Sequence, residues 1–138
     1  MSISNKKTAT ETTKPAQVVD LDAFMRANMN RVFNERNVDH RLAALGELYS
    51  NDAIFYDPEA LVTGRQAISK AVDSLLAHFP PDFVFTAAGP AVGHNGAARF
   101  FWRLGPPSGP AAVTGTDVAF IEHGRIKRLY VFVDPVVR

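Results

Sequence analysis

The chain reads as one α+β domain, with helices leading and strands following. Two patterns predict this. Up to Phe79 most of the sequence carries apolar residues at the i, i+3 and i+4 spacings of helix faces. After Pro80-Pro81 it changes to short apolar runs punctuated by Gly, Pro and Asn, the pattern of an antiparallel meander. Size agrees: 138 residues, 46% hydrophobic and 21% charged, suit a single domain that sustains a core without staples.

The first helix begins at Asp20, which can cap it, and presents Leu21, Phe24, Met25, Val32 and Phe33. A second short helix is expected from Arg41 to Tyr49, with Asp39 as cap. Ser50-Asn51-Asp52 breaks it, and a strand follows over Ala53–Asp57, ended by Pro58. Thr63-Gly64-Arg65-Gln66 reads as a capping box opening a third helix, whose buried stripe is Ile68, Val72, Leu75, Leu76 and Phe79. Strands are expected over Asp82–Ala88, over Val92–Leu104 with a bend at Gly93 and Gly96, over Ala112–Ile121, and over Arg125–Asp134 after a tight turn at His123-Gly124. Residues 1–18 are polar and Thr/Lys-rich, lack the apolar core of a signal peptide, and read as a disordered tail. Residues 19–138 form the domain.

Composition also excludes. A net charge of +1 argues against a nucleic-acid binder, which carries a clustered basic face. No apolar run approaches the roughly 18 residues of a membrane span. Cysteine is absent, which removes disulfides and thiolate chemistry and fits a reducing, cytoplasmic setting. His40, His78, His94 and His123 stand at helix ends and turns without a second ligand at metal spacing, so no metal site is expected. His94 is placed near a pocket rim. No loop resembles a phosphate cradle, and no cofactor is implied.

Two acids stand out. Asp117 shares strand parity with Val113, Ala119 and Ile121, and neither face of its strand is cleanly polar. A carboxyl there is desolvated, which favours its neutral form. Asp57 ends a strand on the same face as Phe55. If both enter one cavity, one can serve as a base while the other keeps its proton. Both residues also have structural readings: Asp-Pro is a common turn, and a buried Asp can be held by backbone or phenol donors. Ala98, Phe100, Trp102 and Leu104 line one strand face, with Arg99 and Arg103 on the other.

Several motifs in order carry a family resemblance: Leu48-Tyr49-Ser50-Asn51-Asp52-Ala53, Tyr56-Asp57-Pro58, Gly64-Arg65-Gln66-Ala67-Ile68, Ala88-Gly89-Pro90, His94-Asn95-Gly96, and Asp117 through Ile126. Together, over residues 20–134, the chain resembles the nuclear-transport-factor-2-like superfamily, SnoaL-like proteins and ketosteroid isomerases above all. The resemblance implies a cone-shaped, bent antiparallel sheet packed with three helices around an apolar pocket, and a homodimer formed through the sheet. It gives Asp57 the place of a general base, Asp117 that of a protonated oxyanion-stabilising acid, and Tyr49 that of a supporting phenol. Phe33 falls where the isomerases have their main oxyanion-donating tyrosine, and phenylalanine cannot donate. The expected pocket wall is Phe33, Tyr49, Phe55, Trp102, Leu129 and Val133, around a small apolar ligand. The expected activity is proton transfer next to a carbonyl; the alternative is a binding or dimerisation module.

Overall fold

The computed structural model describes residues 20–136, so the expected tail over 1–18 lies outside the described residues. Asp20 caps α1 (Leu21–Asn28) by accepting from the Ala23 amide at 2.9 Å. The helix then widens into a π turn, Met29–Phe33, closed by the Asn34 amide donating to the Met29 carbonyl at 2.8 Å. Apolar spacing predicts an uninterrupted α-helix here and cannot show that change of pitch.

Helix α2 (Val38–Leu48) starts earlier than expected. Its cap is Asn37, which accepts from the His40 amide at 2.9 Å, and Asp39 sits in the first turn instead. Tyr49 is extended and opens β1 (Tyr49–Asp57), which doubles back through Pro58-Glu59 into β2 (Ala60–Thr63), a strand the sequence did not suggest. The expected capping box does not form. Thr63 pairs with Ile54 in the β1–β2 ladder, and Gly64, at φ 95°, swings the chain straight from strand into α3 (Arg65–Ala77).

The remaining strands are β3 (Val84–Ala87), β4 (Val92–His94), β5 (Ala97–Gly105), β6 (Val113–Glu122) and β7 (Arg125–Val133). The long strand expected over Val92–Leu104 is a hairpin, β4 and β5. Its turn is Asn95-Gly96, both at positive φ (49° and 83°). Strand order is β2-β1-β7-β6-β5-β3, with β4 pairing one end of β5. The meander from β5 to β7 is antiparallel, as expected, but β1 lies parallel to β7, so the sheet is mixed. Extra residues in β1 between Tyr49 and Ile54, and in β7 opposite Phe120/Ile121, break register and bend the sheet.

The helices cover the concave face, burying Phe55, Phe100, Leu104, Ala119 and Leu129 against Met25, Val32, Leu45, Ile68 and Val72. One cation lies inside this packing. Arg41 is wholly buried and donates to the Ser69 hydroxyl (3.0 Å), to the Glu35 carbonyl (2.6 Å) and to Asp73. It ties α2 to α3 and to the loop leaving the π turn. Because Asp73 is half exposed, most of the cost of losing Arg41 falls on the groups left unbonded inside. Arg41→Ala is expected to lower unfolding free energy by roughly 2–4 kcal/mol in urea denaturation.

Candidate functional site

Where the concave face emerges from under the helices, an apolar cavity of about 190 Å³ remains. The sheet supplies Phe55, Asp57, Phe85, Trp102, Leu104, Val113, Asp117, Val131 and Val133; the π turn supplies Met29 and Phe33; Leu75 and Phe79 come from α3 and its end. Apart from the indole N–H, the two acids bring the only polar side chains in this wall among the described residues. Strand register sets them in a row. Asp117 on β6 pairs with Val131 on β7, and Tyr56 on β1 pairs with Tyr130, which sets Asp57 beside Val131 on its other side. Two inter-strand spacings place the acids' backbones roughly 10 Å apart, with Val131 between them.

Asp117 is 6% exposed. Burial pushes its pKa from 3.8 to about 7, and a hydrogen bond from Trp102 Nε1 to Oδ1, at 2.9 Å, pulls weakly the other way. Trp102 is diagonal to Asp117 across the β5–β6 ladder, where Trp102 faces Gly115 and Phe100 faces Asp117. The indole reaches the carboxyl by lying flat over Gly115. A Cβ there would stand 2.2 Å from Trp102 Cζ2 and 2.4 Å from the Phe132 carbonyl oxygen.

Asp57 shows the turn reading and the cavity reading together. Its Oδ1 accepts from the Glu59 amide at 2.8 Å, fixing the β1–β2 turn, while the side chain lines the cavity. Phe33 packs against Phe55 and Phe85, with ring centroids 6.0 Å from each.

Two expected wall residues stand behind the wall. Tyr49 and Leu129 are fully buried in the core and do not reach the cavity; Val131, two residues along the same face of β7, lines it instead. Tyr49 donates to Asn28 Oδ1 at 2.6 Å, and the buried Asn28 Nδ2 has no partner among the described residues. Burial raises the Tyr49 pKa well above its usual value, negative charge on Asp117 adds to this, and the bond to Asn28 opposes it. His94 lies in the β4–β5 hairpin, accepts from Asn95, and is not on the cavity wall. Sequence reasoning did not assign Asn28, Met29, Leu75, Phe79, Phe85, Leu104 or Val113 to the site; strand parity with Asp117 and Trp102 could have suggested Val113 and Leu104. Among the described residues no cluster of three His, Asp or Glu could hold a metal ion, and no helix is long and apolar enough to cross a membrane.

This geometry is that of a small pocket domain on a bent mixed sheet. A family model described as the SnoaL-like domain matches residues 18–129, and the chain belongs to that family. The chain is similar to a structure from Agrobacterium tumefaciens provisionally described as an isomerase of the SnoaL-like family, with 28% identity, 82% of this chain and 96% of that one covered, and a TM-score of 0.75. Its fold is also that of structures provisionally described as a ketosteroid isomerase from Kribbella flavida (17% identity, coverage 85% and 79%, TM-score 0.64) and a polyketide cyclase from Sinorhizobium meliloti (18%, 79% and 93%, 0.63). No protein with a curated description matches in sequence.

Two outcomes follow for Asp117. Between pH 4 and 7 the folded chain holds a proton that the unfolded chain has released, so this group's contribution makes stability fall as pH rises. Asp117→Asn removes the effect. Relative to wild type, the variant should gain about 2–4 kcal/mol between pH 4 and pH 8 in urea denaturation. Gly115→Ala should displace the indole, cost roughly 1–3 kcal/mol, and shift the emission of Trp102, the only tryptophan in the chain.

Proposed function

We propose that the chain catalyses proton transfer next to a carbonyl on a small apolar molecule held in this cavity. The carrying observation is the row Asp57–Val131–Asp117: two carboxyls on one apolar wall, with room between them for a reacting group. Asp57, at the mouth, takes the proton. Asp117, kept neutral by burial up to about pH 7, donates a hydrogen bond to the oxygen where negative charge develops. The isomerase description of the Agrobacterium relative supports the same class of reaction. Phe33 leaves this oxygen one donor short, so the reaction is slow by the standard of a two-donor site. No cofactor enters the scheme.

Phe33 also favours a second reading, a pocket that binds without turnover. In that case Asp57→Asn with Asp117→Asn leaves ligand affinity nearly intact. We further propose that the chain pairs with a second copy through the convex sheet face. There Tyr56 stacks on Tyr130 (4.2 Å), Phe132 stacks next to it, and Phe132 and Phe101 are 54% and 39% exposed.

For the reaction, wild-type protein should accelerate deuterium exchange at the α-carbon of 2-tetralone in D₂O, followed by NMR. Asp57→Asn should lower the rate about 10²-fold or more, and Phe33→Tyr should raise it. Equal rates for wild type and Asp57→Asn would refute the assignment. For the assembly, Phe132→Glu with Tyr130→Glu should convert a dimer to a monomer in light scattering; a wild-type monomer would contradict it.

A further inference from the structure

The cavity does not end at its mouth. Asp57, Leu75, Phe79 and Val133 line both the cavity and a second, solvent-open groove of about 730 Å³ that runs between α3 and β2. The groove floor is made of Ala60, Val62, Ala67 and Ala71, half-buried and apolar. Ala67 and Ala71 stand one turn apart on α3, and their small side chains are what keep the groove open against β2.

The cavity itself is small. An apolar cavity of roughly 150 Å³ takes a benzene-sized molecule. At about 190 Å³, this one takes a single ring with a short substituent. Anything larger with its reactive end between the two acids must leave past Asp57, and its exit is the groove.

Charge decides what kind of extension fits. Lys70 stands on the α3 side of the groove, Glu59 in the β1–β2 turn and Asp57 where the groove meets the cavity, one basic side chain against two acidic ones. His78 Nδ1 donates to the Ser74 carbonyl at 2.7 Å, within its own helix end. One lysine among two carboxyls offers no site for an anionic tail, and the apolar floor favours an uncharged one. We infer that the ligand has two parts: a single-ring carbonyl or enol head in the cavity and an uncharged apolar tail along the α3–β2 groove. This inference rests on the cavity being the ligand site, as proposed above, but not on turnover.

The test uses 4-ethylphenol and 4-hexylphenol as probes, with Trp102 emission as the readout of binding. A methylene tightens binding about fourfold when fully buried, so four half-covered ones should make the hexyl compound roughly fifteenfold tighter than the ethyl compound in the wild-type chain. Ala71→Phe fills the groove and should abolish that advantage while leaving 4-ethylphenol affinity unchanged. Ala67→Phe, one turn away, should do the same and serves if the first variant folds poorly. Equal affinities for the two phenols in the wild-type chain overturn the inference. So does a hexyl advantage that survives both substitutions, because the tail then lies elsewhere. Length-dependent binding without any α-carbon exchange would sink the proton-transfer reading and leave the two-part ligand standing.

Discussion

The burial of one carboxyl organises this site. Asp117 sits in the middle of a strand, on the face turned toward the helices, with phenylalanine, leucine, methionine and valine around it and one indole N–H as its partner. A charged form would have to be solvated by groups the wall does not contain, so the neutral acid is favoured up to about pH 7. Retaining such a group costs stability that builds from about pH 4 and is complete above about pH 7. An apolar residue would remove the cost, so the acid is more readily explained by what it does in the cavity than by what it does for the fold.

Several backbone features serve that placement. Gly115 lets the indole lie across β6 and reach the carboxyl. The parallel pairing of β1 with β7 brings Asp57 to the far side of Val131, although the two acids are sixty residues apart in sequence. The π turn sets Met29 and Phe33 in the cavity wall. Arg41 locks α2 to α3 from inside, and Leu75 at the end of α3 closes the wall. Each device is local, yet all of them converge on one small volume.

Much of this was legible beforehand. Alternation on β5 correctly put Phe100 and Trp102 on one face and Arg99 and Arg103 on the other, because side-chain direction in a strand follows parity, whereas on β6 neither face was cleanly polar and parity alone did not choose the side of Asp117. Helical spacing found all three helices. The misses share a cause: they depend on pairing or backbone pitch, which single-residue pattern does not carry. Thr63 looked like a cap because its spacing to Gln66 is right, but its ladder with Ile54 won. Gly93 and Gly96 suggest a bend in one strand, but Gly93 lies within β4 and Asn95-Gly96 is a tight hairpin turn. Tyr49 and Leu129 have the correct face but the wrong depth, since register places Val131, and not Leu129, opposite Asp117. Asn28 gave no signal, being a polar residue within a helix whose partner, Tyr49, lies twenty-one positions on.

The measurement that bears most directly on this account is a carboxyl-carbon NMR titration of Asp117 in the folded chain. A midpoint near pH 7, moving when an apolar phenol enters the cavity, is the result the buried-acid account predicts. A midpoint near 4, the ordinary range for an exposed aspartate, and indifferent to the phenol, would contradict it.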